Sequence, residues 1–380
     1  MRERKPESPI SPTRFRLGDV CEIVYGERIR KIDSIADDYP VYGGGGETFR
    51  WATYNRENAC VVSRFAMSKE CVRYVQGRFF LNDSGLTVES KDSGLLQEFL
   101  NWFLHGKQDE IYSLGQGAAQ RNLNVKRFVG LLIPRPPLAE QRLIASHLDK
   151  VTNLISLRKQ QLVKLDELVK SRFVEMFGDT FSNPKQWSSK TFQEAGNRLS
   201  DGPFGSNLKS SHYSDSGVRV IRLGNIGVGK FIDDDRAFIP YDHYEKLKKY
   251  TCRAGEIVIG TLGDPNLRAC LVPPSIEIAV NKSDCVHYLP REDLLDKQYV
   301  CWFLNAPGTL RLAASMIHGQ TRSRVSSGQI AKMPIRIPPH SLQCEFAAFV
   351  EKVDKLKVKV QKSLEELKTL KKALMQQYFG

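Results

Sequence analysis

The features that mark an enzyme, a secreted scaffold or a membrane protein are scarce in this 380-residue chain. Its eight cysteines (Cys21, Cys60, Cys71, Cys252, Cys270, Cys285, Cys301 and Cys344) form no CxxC pair. Neither a zinc site nor a disulfide framework is therefore expected, and reduced thiols point to a cytoplasmic protein. No apolar run is long enough to span a bilayer. Met1 to Arg14 is basic, carries Pro6, Pro9 and Pro12, and lacks the apolar centre of a signal peptide. It reads as a disordered lead over residues 1–14. The histidines His147, His212, His243, His287, His318 and His340 sit in unlike contexts with no shared metal spacing, and His105 reads as a helix cap. The one Asn-Pro, Asn183-Pro184, is followed by Lys185-Gln186 and not by the Pro-aromatic pair of an adenine methyltransferase. No strand leads into a dinucleotide or S-adenosylmethionine glycine loop, and no Pro-Asp…Glu-x-Lys nuclease cluster occurs. Gly224 to Lys230 has phosphate-loop spacing, but Phe231 stands where Ser or Thr is needed and Asp233-Asp234-Asp235 follow. A glycine-rich turn between strands accounts for it better. No catalytic and no metal-ligating residue is assigned.

Positive charge is abundant. The net charge is +13 and the isoelectric point is near 9.3. Such a surplus calls for a polyanionic partner, nucleic acid first and an anionic membrane surface second.

The chain also repeats itself. Pro136-Pro137-Leu138-Ala139-Glu140-Gln141 and Pro338-Pro339-His340-Ser341-Leu342-Gln343 each open a run free of Pro and Gly that ends in Phe-Gly, at a constant offset of 202 residues. Apolar residues step by threes and fours along the first run: Ile144, Leu148, Val151, Ile155, Leu162, Leu165, Val169 and Met176. The second has Phe346, Val350, Val353, Val360, Leu364, Leu367, Leu374 and Tyr378. These are heptad seams, and they predict two long helices, each roughly 40 residues and about 60 Å. If the seams face each other, connectivity makes the helices antiparallel. Arg158, Arg172, Lys357 and Lys371 interrupt the seams and are candidates for setting register. The expected fold class is α+β: two similar mixed globular domains, residues 15–134 and 179–334, separated by an antiparallel two-helix coiled coil of residues 135–178 and 335–380, with a pseudo-two-fold repeat.

Within the first domain, strands are expected at Tyr39 to Tyr42, Cys60 to Ser63, Arg78 to Leu81 and Phe128 to Ile133, with a helix over Leu95 to Leu104. Within the second, Val218 to Leu223 alternates apolar and basic residues like a half-buried strand, and Glu256 to Ile259 and Ile276 to Val280 are further strands. Trp302-Phe303-Leu304 echoes Trp102-Phe103-Leu104 at an offset of 200. Binding groups gather in loops. Gly44 and Gly45 would let another backbone come close. Gln116, Gln120, Arg121 and Asn122 carry donors suited to base edges, and Gln320, Arg322, Ser323 and Arg324 occupy the matching place in the second domain. Phe204, Ser206, Asn207, Lys209, Ser210 and Tyr213 form a donor-rich loop with aromatics, joined by Asn225 and Lys282. Lys126, Arg127, Lys209 and Lys282 are suited to phosphates.

Leu17-Gly18-Asp19-Val20, Tyr39-Pro40-Val41-Tyr42-Gly43-Gly44, Ile133 to Gln141, Asp201-Gly202-Pro203-Phe204-Gly205-Ser206, Val220 to Ile226 and Gly255 to Gly260 are, in that order, similar to segments of the specificity subunits of type I restriction–modification enzymes. The second long run departs from the family pattern, with Leu342-Gln343 where Glu-Gln is usual. The resemblance implies two target recognition domains reading an asymmetric bipartite site on double-stranded DNA, with the helices as spacer. It implies a subunit without catalysis, docked by two modification subunits and, in a full complex, by restriction subunits. S-adenosylmethionine, ATP and Mg would then sit on those partners and none on this chain. A self-sufficient methyltransferase or NTPase, and a basic coiled-coil interaction scaffold, stand as alternatives.

Overall fold

The computed structural model describes residues 13–31, 38–118, 120–315 and 324–380. These residues form an α+β structure of two compact units. One comprises the described residues through Lys159 together with Lys362–Gly380, and the other is Gln160–Gln361. Each includes half of each long helix.

The strands of the first unit are β1 (Arg14–Arg16), β2 (Cys21–Tyr25), β3 (Tyr39–Gly43), β4 (Gly46–Trp51), β5 (Arg56–Ser63), β6 (Val72–Leu81), β7 (Gly85–Ser90), β8 (Gly115–Gln116), β9 (Asn122–Leu123) and β10 (Leu132–Pro134). Six of them make one sheet in the order β2-β7-β5-β6-β3-β4, antiparallel except between β3 and β6. The helix Gln97–Gly106 lays Phe99, Leu100, Phe103 and Leu104 into the same core as Val62, Leu86 and Val88. The stretch expected as a strand from Phe128 is instead a short helix, Val125–Phe128, followed by β10. Asn124 is the reason: its side-chain oxygen accepts from Arg127 N at 3.2 Å and caps that turn. Of the lead expected over residues 1–14, residues 1–12 lie outside the described residues, and Arg14 pairs with Pro134 in the β1–β10 ladder.

The second unit holds β11 (Ser188–Thr191), β12 (Gly196–Asp201), β13 (Val218–Ile221), β14 (Ala237–Ile239), β15 (Thr251–Arg253), β16 (Ile257–Gly260), β17 (Arg268–Leu271), β18 (Ile278–Asn281), β19 (Cys285–Pro290) and β20 (Pro334–Ile337). Two four-stranded sheets, β12-β19-β16-β17 and β14-β13-β18-β15, pack through Ile221, Cys252, Val258, Cys270 and Ala279. The far face of the first sheet takes Tyr299 and Phe303 from the helix Lys297–Asn305. The expectation of a half-buried β13 is corrected: all four of its residues are buried. The other sheet, β12-β19-β16-β17, packs through Ile221 on the face that alternation assigned to solvent, and Arg219 is buried against Asp233 at 2.8 Å.

The two long helices span Leu138–Phe177 and His340–Phe379, 40 residues each. Gly178 follows the first with φ +80°, the left-handed geometry that closes a helix end without steric cost to glycine. In the first unit the helices pair antiparallel, with His147 Nδ1 3.2 Å from Tyr378 Oη and Arg158 Nε donating to Ser363 Oγ at 3.3 Å. In the second unit they do so again, through Lys357–Asp166 at 2.7 Å and Arg172–Glu345 at 2.9 Å. Lys371 Nζ lies 4.9 Å from the ring centre of Trp102. Along the seam Ile144, Leu148, Val151, Phe346, Val350, Val353, Val360 and Leu364 are buried, while Ile155, Leu162, Leu165 and Leu367 are half-buried. Each helix start is clamped to its unit by one glutamine. Gln141 Nε2 donates to Gly94 O at 2.7 Å and Pro136 O at 2.8 Å, and its Oε1 accepts from Leu96 N at 2.8 Å. Gln343 makes the same three bonds with Leu294 O, Pro338 O and Asp296 N at 2.9, 2.9 and 2.8 Å. Both side chains are fully buried, so every polar end must find a protein partner, and it does.

Candidate nucleic-acid interface

In the first unit a loop, Arg64 to Ala66, follows β5. It is stitched to the 115–123 hairpin. Leu123 N donates to Arg64 O at 2.8 Å, and Met67 N to Arg121 O at 2.8 Å. The Asn122 side-chain oxygen accepts from Ala66 N at 3.2 Å, where Ala66 adopts φ +48°. Asn122 is thus a brace for this loop as well as an exposed side chain. Gln116 and Gln120 are exposed beside it. Arg121 is half-buried, with its guanidinium 4.7 Å from the Tyr112 ring centre and Nε donating to Gly115 O at 3.3 Å. The glycine turn between β3 and β4 lies against the same loop: a Cβ on Gly44 would meet Phe65 O at 2.8 Å. That contact corrects the expectation for Gly44. It is buried, its N–H donates to Ser84 Oγ at 2.9 Å, and its carbonyl accepts from Ser63 Oγ at 2.6 Å and Arg73 Nη1 at 2.8 Å. The close approach that glycine permits there is to this chain's own backbone. Gly45 is the exposed member of the pair, with open space where a Cβ would be.

In the second unit the loop after β12 lies beside the β18–β19 turn. Gly202 N donates to Cys285 O at 3.2 Å, and a Cβ at Gly202 would meet Asn281 O at 2.4 Å. Leu208 is buried and anchors the loop, leaving Phe204, Ser206, Asn207, Lys209 and Ser210 exposed around it. Lys282 Nζ donates to Tyr213 Oη at 3.1 Å, and the Arg222 guanidinium stands 5.7 Å from the same ring centre while pairing with Asp235. Arg324 is half-buried and pairs with Asp284 at 3.2 Å, on the edge of that turn. Val325 N donates to Thr261 O at 3.0 Å, the counterpart of the Leu123–Arg64 bond in the first unit. Gln320, Arg322, Ser323 and His318 lie outside the described residues.

Asn225 is a correction. Its side chain is fully buried; Nδ2 donates to Ile232 O at 2.9 Å and Asp235 O at 2.8 Å, and Oδ1 accepts from Arg222 N at 2.9 Å. An amide whose bonds are all made inside the fold has none left for a base edge. It shapes the Gly224–Lys230 segment, which turns back through an Ile226–Phe231 bridge without leading into a helix. Sequence reasoning did not single out Arg64 and Tyr25, which lie far from the glutamine loop in the chain; the Arg64 guanidinium stands 4.8 Å from the Tyr25 ring centre.

Several titratable groups lie away from these loops. Burial holds the Arg219 guanidinium below its ordinary pKa even though Asp233 pulls the other way. Burial also lowers His287, against the pull of Glu256. Seven cysteines are buried, Cys344 is exposed, and all are free. Among the described residues, no cluster of ligands fit for a metal occurs and no helix is long and apolar enough to cross a membrane.

Residues 12–167 match the family model described as the type I restriction modification DNA specificity domain. The chain is 22% identical over 321 residues to the type I restriction enzyme MjaVIII specificity subunit of Methanocaldococcus jannaschii, covering 79% of this chain and 74% of that one. It is 21% identical over 304 residues to the EcoKI specificity subunit of Escherichia coli, covering 76% of this chain and 65% of that one. In fold it is similar to the type I restriction–modification S subunit from M. genitalium, with a TM-score of 0.61 and 18% identity over 99% of this chain and 98% of that one. A structure from work on assembly and conformational transition of the type I system is similar at a TM-score of 0.60 and 16% identity, over 98% of each chain.

Proposed function

We propose that this chain is a specificity subunit of a type I restriction–modification system and that it reads a split, asymmetric DNA target, one half through each unit. Recognition of a DNA target is the function of the specificity domain itself. The observation that carries the finer reading is the matched pair of loop clusters. Each sits at the end of the equivalent strand, β5 or β16, closed by the equivalent backbone bond, Leu123 N to Arg64 O or Val325 N to Thr261 O. Each presents cations backed by tyrosines: Arg121 on Tyr112, and Lys282 and Arg222 on Tyr213. The side chains in the two clusters differ, so the two halves of the target differ. Lys126, Arg127 and Lys209 serve the phosphates, which fix position without reading sequence.

The long helices act as the spacer between the half-sites. Their outer faces are the docking surface for modification subunits. Leu143, Leu154 and Leu157 in the first unit, and Val163, Leu168 and Val174 in the second, are large apolar side chains left exposed on the first long helix. Exposed apolar side chains spaced along a helix suit a protein partner better than water. Methyl transfer, with S-adenosylmethionine, and any ATP-driven cleavage belong to the partner subunits, in the cytoplasm.

The test is a domain exchange. Replacing residues 190–330 with the corresponding segment of another specificity subunit should change one half of the methylated target and leave the other as it was. A change in both halves would overturn the reading.

A further inference from the structure

The basic side chains around the recognition loops mostly have internal partners. Arg73 donates to the carbonyls of Gly43 and Gly44 at 3.2 and 2.8 Å. Arg56 donates to Thr87 Oγ1 at 2.9 Å and Tyr25 O at 3.0 Å. Arg222 and Arg324 are paired with Asp235 and Asp284. Arg64 differs. Its guanidinium is 4.8 Å from the ring centre of Tyr25 and 4.6 Å from that of Phe65. It is half-buried beside those rings, and among the described residues no carboxylate or carbonyl engages its N–H groups.

Three further observations bear on what this group is for. Two aromatic ring centres lie 4.8 and 4.6 Å from the guanidinium and restrict how it can turn, and a planar fork is the property that separates Arg from Lys in recognition. The loop that carries it is held at both ends, by Leu123 N on Arg64 O at 2.8 Å and by Asn122 on Ala66 N at 3.2 Å. It also stands within the cluster that presents Gln116, Gln120 and Arg121. A mobile phosphate contact is served equally well by a point charge such as Lys, which needs no fixed orientation. A planar fork restricted in its turning suits a planar pair of acceptors. On duplex DNA that pair is the O6 and N7 of guanine in the major groove.

We propose that Arg64, held against Tyr25 and Phe65, reads one guanine in the half-site taken by the first unit. Asn122 is a positioning residue for it, acting through Ala66, and Tyr25 and Phe65 restrict how it turns. This rests on the reading of the chain as a two-part DNA recognition subunit.

The experiment is selection of bound sequences by the full-length chain, with its modification subunits, from a pool of random-sequence duplexes. The wild type and Arg64→Lys are compared, together with the salt dependence of affinity for the selected duplex. Lys keeps the charge and loses the fork. Arg64→Lys is expected to lose preference at a single G·C pair in one half, by about 5- to 150-fold. The other half, and the slope of affinity against salt, should stay unchanged. Tyr25→Ala, which keeps the arginine and removes one wall, should give a smaller loss at the same pair. If Arg64→Lys selects the same sequence as the wild type at every position, the proposal is overturned. It is equally overturned if binding weakens uniformly and the salt slope drops, the signature of a phosphate contact, or if both halves degrade together. If the wild type selects no sequence at all, the underlying reading of DNA recognition fails instead.

Discussion

Gln343 offers the sharpest energetic test of how a recognition unit is fastened to its helix. The side chain is fully buried and makes three hydrogen bonds, at 2.8, 2.9 and 2.9 Å. Gln343→Ala removes all three and leaves Asp296 N, Leu294 O and Pro338 O without that partner. At about 1 kcal/mol per bond, with more for a buried group left unsatisfied, the loss is about 3–5 kcal/mol. Asp296 is also the cap of the helix Lys297–Asn305, its side chain accepting from Gln298 N at 2.7 Å, so the damage should focus there. Gln343→Glu probes the same site by charge. It would turn an oxygen toward Leu294 O and Pro338 O where an N–H now points. The introduced carboxyl therefore folds in its protonated form, with a pKa raised above the usual value of about 4.3. A raised folded pKa gives stability that is fully present below the unfolded pKa and lost as pH rises. Gln343→Glu should accordingly be closest to wild type near pH 4 and progressively weaker toward neutrality. Urea unfolding measures the total, and amide hydrogen exchange shows the location: exchange in Lys297–Asn305 should quicken while Gln97–Gly106 keeps its rate. The exposed Gln160 is the control. If Gln343→Ala falls within about 0.5 kcal/mol of Gln160→Ala, the clamp is not a fastening.

Two other outcomes follow from burial. Only Cys344 is exposed, and burial pushes Cys60 and Cys252 up to about 12. A thiol reagent at neutral pH should therefore find one reactive cysteine in the native chain and eight after denaturation; two or more fast thiols would contradict the packing. Arg219 is a buried cation whose Nε and Nη1 have no partner, and Asp233 keeps Arg236 at 2.6 Å in its absence. Arg219→Met should be within about 1 kcal/mol of wild type or more stable, whereas Asp233→Ala should cost roughly 2 kcal/mol or more, as measured by urea unfolding.

The long helices were legible because their signal is local. Heptad spacing, prolines before and glycine after need no knowledge of the rest of the chain, and the expected segments 135–178 and 335–380 contain the helices Leu138–Phe177 and His340–Phe379. The repeat also placed the paired tryptophans Trp102 and Trp302 on equivalent helices. The clamps were in view as an unexplained Gln at a matched position, but that each reaches back more than 40 residues to a backbone carbonyl is a tertiary fact. Where the sequence misled, a second layer intervened. Val218 to Ile221 looked half-wet because alternation assumes one open face, and another sheet covers it. Asn225 and Gly44 looked available because loop residues usually are, yet both spend their polar groups on neighbouring backbone. Arg64 could not be seen at all, because its meaning lies in two rings, one of them 39 residues upstream, and in the absence of an acid.

On the proposed reading, two unlike faces on one chain define the two halves of a DNA target. Mapping every methylated adenine in a cell that carries this chain with a modification partner puts this to the test. The expected result is one motif made of two short defined blocks, separated by a constant unspecified gap and not reverse complements of each other. A single uninterrupted motif, or a palindromic one, would contradict it.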